Sequence, residues 1–173
     1  AAWPATARPA AGTGERPAVA LPEGVPIGLH VARRAIRITR HDPAALPLAA
    51  PPHVIEMTPQ LSLASDRHTP WGVGEPLGRL LPGTTVARFA ERDGRVPGTA
   101  ELDAALVIVA RYADRHRWLA EAIDRLLAAR PDAIVVEMGL PGRTDRGAVH
   151  IATHGSARVC GQAAAEVLAG IAW

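Results

Sequence analysis

The sequence predicts a three-layer α/β/α sandwich built on a mostly parallel sheet of about five to six strands, and three observations carry that prediction. The run Ala104 to Ala110 is continuously apolar, as a strand buried on both faces must be. A second such run, AIVVEMG, spans Ala133 to Gly139. Between them HRWLAEAIDRLLAARPD places Leu119, Ile123, Leu126 and Leu127 at three- and four-residue steps, the stripe of an amphipathic helix. A strand, a helix and a second buried strand make a βαβ unit, which closes right-handed onto a parallel sheet.

The remaining elements follow in chain order. Residues 1–24 are rich in Ala, Pro and Gly without a sustained period and read as a linker or inter-domain segment, with Trp3 its one docking-type side chain. From Val25 the pattern changes, and 25–173 reads as the folded domain. VPIGLHVARRAIRIT gives a short helix and then a strand near Ala35 to Thr39. HVIEMTP, bounded by Pro52 and Pro59, is a strand. In TPWGVGEPLGRLL, Thr69 is a candidate cap and Pro70 a first-turn residue, and Pro82-Gly83 stops the helix. TTVARFA is a strand, AVHIAT another, and SARVCGQAAAEVLAGI a closing helix with Ser156 as its expected cap.

Composition narrows the function classes. The chain has 173 residues, whereas a catalytic (β/α)8 barrel needs roughly 250. Hydrophobic residues make up 48% and aromatics only 3%, so Ala, Val, Leu and Ile must fill the core. All 19 basic residues are Arg, interleaved with 17 acidic ones for a net charge of +2, so no basic stripe for nucleic acid forms. One cysteine, Cys160, leaves no internal disulfide and reads as a packed thiol in a helix. No apolar run approaches the ~20 residues of a membrane span. The chain opens Ala-Ala-Trp without an initiator Met and without a signal segment, and reads as the middle of a longer polypeptide.

The last seventy or so residues carry more than a fold pattern. ALVIVARYA, the amphipathic helix, VVEMGLPG, IATHGS and the closing AAAEVLAG together resemble the C-terminal sandwich domain of family-3 glycoside hydrolases, in its bacterial β-N-acetylglucosaminidase branch. Upstream, VARRAIRIT looks like that family's entry from a helix into the first strand of the domain. The family often has a Pro-Tyr-Asp type sequence after the second strand, where this chain has Pro141-Gly142-Arg143, and an aromatic where His154 stands. The resemblance implies that chemistry belongs to a preceding (β/α)8 barrel, with its aspartate nucleophile, Asp-His acid/base pair and Lys-His-Phe-Pro-Gly-His type substrate motif. This chain contains no Lys, so that motif is not in it. The expectation is an accessory domain of a hydrolase acting on terminal N-acetylglucosamine of cell-wall or chitin-type glycans, with no catalytic residue, metal or cofactor of its own.

Candidate contacts at the mouth of such a barrel's site are Asp66, Arg67, His68, Glu137 and Arg143. Retaining glycoside hydrolysis needs two carboxyl groups about 5 Å apart or an equivalent pair, and Glu56, Glu137, Asp114 and Asp145 are the carboxylates to weigh. Glu56 and Glu137 lie within apolar strands, where the structural reading is a strand-end residue facing an arginine. Some branches of the family recruit a Glu from this domain as acid/base, which keeps Glu137 in view. Asp66-Arg67-His68 and Asp114-Arg115-His116 each join an acid, a cation and an imidazole. The second cluster also opens a helix, where Asp is a favoured cap. His150 and His154 are spaced i, i+4 but on a strand-to-loop segment, which does not make a metal pair. GLPGRTDRG lacks the order of a phosphate-binding loop and reads as a turn. The rival to the accessory domain is a stand-alone α/β module binding a carbohydrate or protein partner at the strand ends; a regulatory flavodoxin-like domain lacks an acidic phosphoacceptor neighbourhood.

Overall fold

The alternation inside the central strands decides where every layer lies. In β4 (Leu106–Arg111), Val107 and Val109 face one side of the sheet while Ile108 and Ala110 face the other, all fully buried. The computed structural model describes residues 24–59, 71–94, 98 and 103–172. Around β4 the chain runs α1 (Ile27–Ala35), β1 (Arg37–Arg40), β2 (His53–Thr58), α2 (Gly74–Leu80) and β3 (Thr85–Ala90) before it, then α3 (Arg117–Ala129), β5 (Ile134–Met138), β6 (Val149–Ala152) and α4 (Arg158–Leu168). The six strands form one sheet in the order β1-β6-β5-β4-β2-β3. Every pairing is parallel except that of β1 with β6.

One core packs α1, α2 and α4 on the face carrying Val54, Val107, Val109, Val136 and Ile151. The other packs α3 on Ile55, Met57, Leu106, Ile108 and Ala110 through Leu119, Ala122, Ile123 and Leu126. The architecture is therefore an α/β/α sandwich. Helices α2 and α3 lie on opposite faces because the chain moves outward from β2 to β3 in one direction and from β4 to β5 in the other, and right-handed crossovers then require opposite sides. Small residues let α4 come close: a Cβ at Gly161 would collide with the main-chain oxygen of Gly72. Helices α1 and α4 are tied by Arg33, whose Nε and Nη2 donate to Glu166 Oε2 and Oε1 at 2.8 and 3.0 Å. That carboxylate raises the Arg33 pKa. Cys160 belongs to this core. The outer side of α1 leaves Ile27 and Val31 exposed beside a shallow groove of about 380 Å³ that reaches His154, Val159 and Cys160.

Two irregularities bear on function. Between β5 and β6 the chain crosses without a helix, so residues 139–148 cover that part of the α3 face as an extended loop. In edge strand β1, Ile38 pairs with Ile151 and Arg40 with His150, which makes Thr39 the extra residue of a β-bulge. No helix of the described residues is long and apolar enough to cross a membrane.

Candidate functional site

Parallel sheets of this kind bind ligands outside the carboxyl ends of their strands, at the point where strand order reverses. Here that point lies between β2 and β4, whose following segments depart to opposite faces. The segment after β2 holds Asp66, Arg67 and His68, which lie outside the described residues together with Thr69 and Pro70. The chain is described again at Trp71, over whose ring the Arg111 guanidinium stands 5.5 Å from the centroid. Arg111 also donates through Nη2 to Ser156 Oγ at 2.9 Å. Ser156 was expected to cap α4; the cap position is Ala157, without a side-chain bond, and the serine hydroxyl is turned toward Arg111 instead.

Glu56 fulfils its structural expectation. It is 2% exposed, faces Arg88 Nε at 2.9 Å, and its Oε1 accepts from the N–H groups of Val73 and Gly74 at 3.0 and 2.8 Å. Those amides open α2, so the carboxylate, on the face of β2 that α2 covers, caps the positive end of the helix dipole. Gly72, at φ 109°, leaves the room: a Cβ there would strike the carboxylate.

Glu137 departs from its expectation. Among the described residues no arginine pairs with it. Its carboxylate, on the α3 side of β5, accepts from Ala113 N at 3.1 Å and from Gly142 N at 3.3 Å. Its Oε2 lies 3.6 Å from His150 Nε2 on the neighbouring strand β6, and His150 is fully buried. On the far side of the ring, Nδ1 is 2.6 Å from Thr39 Oγ1. A carboxylate only accepts, so the tautomer with its proton on Nε2 suits Glu137 and leaves Nδ1 to accept from the Thr39 hydroxyl. The bulge sets this up: two residues of β1, Thr39 and Arg40, oppose His150, and Thr39 turns inward to it. In the sequence His150 stands out only as half of an i, i+4 pair with His154. The two part company, since His150 is buried in the sheet and His154 is exposed in the loop beyond it, its Nδ1 3.0 Å from Ala35 O. No cluster of three His, Cys, Asp or Glu side chains suited to a metal ion occurs among the described residues.

The loop over this cluster is held from beneath. Asp114 was expected to cap α3, but it lies in a separate 3-10 turn, Ala113–Arg115, and α3 begins after His116 with no side-chain cap. Its carboxylate binds the main-chain N–H of Arg143 and, at 2.9 Å, Nη2 of Arg146. Arg146 is 4% exposed and also lies 3.7 Å from Asp124 through Nε. Thr39 Oγ1 is 3.2 Å from Thr144 O. The side chain of Arg143 itself points to solvent beside Asp145 at 3.3 Å, a pairing that raises the arginine pKa and holds the Asp145 carboxyl below its usual range. The structure thus brings Glu137 and Arg143 to one loop, the first beneath it and the second on its surface. The participation of Thr39, His150 and Arg146 was missed. Its only trace in the sequence is the placing of polar His150 inside an apolar strand.

No protein-family model matches the chain, and no curated protein does. Its fold is similar to solved structures. One is a glycoside hydrolase family 3 β-N-acetylglucosaminidase from Paenibacillus sp. str. FPU-7, with TM-score 0.61 and 19% identity over 92% of this chain and 34% of that one. A second is the β-glucoside phosphorylase BglX, with TM-score 0.56 and 14% identity over 84% and 29%. A third is zinc-bound CbsA from Thermotoga neapolitana, with TM-score 0.50 and 16% identity over 83% and 29%. The chain spans about a third of the length of these structures, and at these identities the likeness is one of fold.

Proposed function

We propose that this chain is the C-terminal accessory domain of a family-3 glycoside hydrolase of the β-N-acetylglucosaminidase type, working beside a preceding (β/α)8 barrel that supplies the catalytic residues. The observation that carries the reading is the alignment of nearly the whole chain with one third of the Paenibacillus enzyme, together with the order of short phrases from ALVIVARYA to AAAEVLAG. Two features support it. Glu56, Glu137 and Asp114 are engaged by main-chain amides and arginines, which suits a scaffold better than a glycosidic acid/base pair. The exposed Ile27 and Val31 on α1 fit a surface that packs on a neighbouring domain. In this reading Asp66, Arg67, His68 and Arg143 contact glycan at the barrel's mouth, and Glu137 holds the loop that carries Arg143.

The test compares the 173-residue chain with its parent polypeptide, using chromophore release from an N-acetylglucosaminide. The parent is expected to turn over and the isolated chain to do nothing; Arg143→Ala in the parent should raise KM more than it lowers kcat. A parent without a barrel, or turnover by the isolated chain that disappears in Glu137→Gln or His68→Ala, would overturn the proposal. A second reading, a stand-alone module binding carbohydrate or protein, is favoured by one observation: the Trp71–Arg111 pair near the reversal of strand order. Saturable binding of N-acetylglucosamine by the chain, lost in Trp71→Ala, would select it.

A further inference from the structure

We propose that Thr39, His150 and Glu137 form a reactive centre of their own, in which the Thr39 hydroxyl accepts an acyl group from an activated ester. A nucleophile in hydrogen-bond reach of a base, with the base oriented by a third group, is the arrangement that activates a hydroxyl. All three parts are present on the adjacent strands β1, β6 and β5. The nearest acceptor to Thr39 Oγ1 is His150 Nδ1 at 2.6 Å; the carbonyl oxygens of Thr144 and His150 are farther, at 3.2 and 3.4 Å. The opposite ring nitrogen, which is buried and has no hydrogen-bond partner among the described residues, faces Glu137 Oε2 at 3.6 Å, beyond hydrogen-bond range, so the carboxylate acts on it through charge and draws closer once the ring is protonated. Glu137 is itself fixed by Ala113 N and Gly142 N.

Accessibility is graded in the sense the chemistry needs. Glu137 and His150 are buried, whereas Thr39 lies in a strand whose four residues are all exposed. A bulge at Thr39 turns that one side chain toward the imidazole, and bulges re-aim side chains in this way beside active sites. Among the described residues the outer edge of β1 has no strand partner, which leaves its outward main-chain N–H groups as donors for an oxyanion developing on that side.

The step balances. Thr39 Oγ attacks the ester carbonyl carbon, a C–O bond forms, and the hydroxyl proton passes to His150 Nδ1, giving an imidazolium beside Glu137. The tetrahedral intermediate collapses with cleavage of the bond to the leaving alkoxide or phenoxide, which takes the proton back from Nδ1. The products are an O-acyl threonine at position 39 and a free alcohol or phenol, and nothing is oxidised or reduced.

The test treats the 173-residue chain with p-nitrophenyl acetate and maps acetylation by mass spectrometry. The absence of Lys removes the commonest competing nucleophile. One acetyl group is expected on Thr39, retained in Thr39→Ser and lost from that position in Thr39→Val, whose cooperative melting is checked alongside because the change removes the partner of the buried His150 Nδ1. His150→Gln should slow acetylation by about 100-fold or more, the range of a lost general base. The chain unfolded in urea should be slowed equally, and this arm holds even if His150→Gln does not fold. No acetyl group on Thr39 in the native chain, or a rate at Thr39 unchanged by unfolding or by His150→Gln in a cooperatively melting variant, would overturn the proposal. Esters carry no glycosidic bond, so the outcome is independent of the glycosidase assay.

Discussion

Glu137→Ala should destabilise the chain by about 3 kcal/mol, and the figure follows from what the carboxylate touches. Its Oε1 accepts from the buried Ala113 N, and an orphaned buried donor costs about 1–3 kcal/mol. Its bond to Gly142 N is longer, 3.3 Å, and only part-buried, so water can replace it at a cost of less than about 1 kcal/mol. Loss of the side chain from a 1% exposed site removes packing worth about 1 kcal/mol. Urea unfolding followed by Trp fluorescence reads the sum: with slopes of about 2–3 kcal/mol/M, the midpoint should fall by about 1–1.5 M. Glu137→Gln keeps the volume and one acceptor but turns an amide donor toward other donors, and should cost about half as much. Arg143→Ala, on the solvent side of the same loop, should stay within about 0.5 kcal/mol of the parent. A Glu137→Ala midpoint within error of Arg143→Ala would refute the reasoning, because it would make the buried carboxylate no more structural than the exposed cation.

Gly161→Ala should destabilise by about 1–3 kcal/mol despite better helix propensity, since the new Cβ meets the Gly72 carbonyl, while Gly78→Ala, with open space around it, should stabilise α2 by about 0.5–1 kcal/mol; chemical denaturation of the pair separates packing from propensity. Arg146→Ala should cost about 2–3 kcal/mol, below the 3–5 of a fully buried pair because Asp114 stays 31% exposed, and should lower hydrogen-exchange protection of the Arg143 amide. Burial lowers the His53 pKa from 6.5, so the unfolded chain binds the proton more readily. Stability from this group is whole above pH 6.5 and is lost as pH falls from there through the depressed folded value; His53→Gln should flatten melting temperature against pH in that window.

The sheet was legible in the sequence because its strands are buried on both faces and therefore read as unbroken apolar runs. HVIEMTP, TTVARFA, ALVIVARYA, AIVVEMG and AVHIAT all became strands, with bounds shifted by a residue or two. Helix starts were less legible. Caps were sought in neighbouring Ser, Thr or Asp, yet α2 is capped by Glu56 from another strand, and Asp114 and Ser156 are committed to Arg146 and Arg111. Local signals lose to such tertiary partners, which no spacing rule records. Of the candidate site, Glu137 and Arg143 could be picked out as a carboxylate in an apolar strand and a cation in a Gly-rich turn. Their division of labour could not, because it depends on the bulge at Thr39 and on the crossing of residues 139–148 without a helix.

That helix-free crossing has a bearing on how such a domain changes over time. The loop is fastened largely through its backbone, by Gly139 N, Gly142 N, Arg143 N and Ala148 N, with Arg146 as its one inward side chain. The outward side chains of Leu140, Arg143 and Asp145 hold nothing in the core. Mutation can therefore rewrite what the loop shows to a ligand or a neighbouring domain while its path stays constant, so recognition and folding are free to diverge at separate rates on the same ten residues.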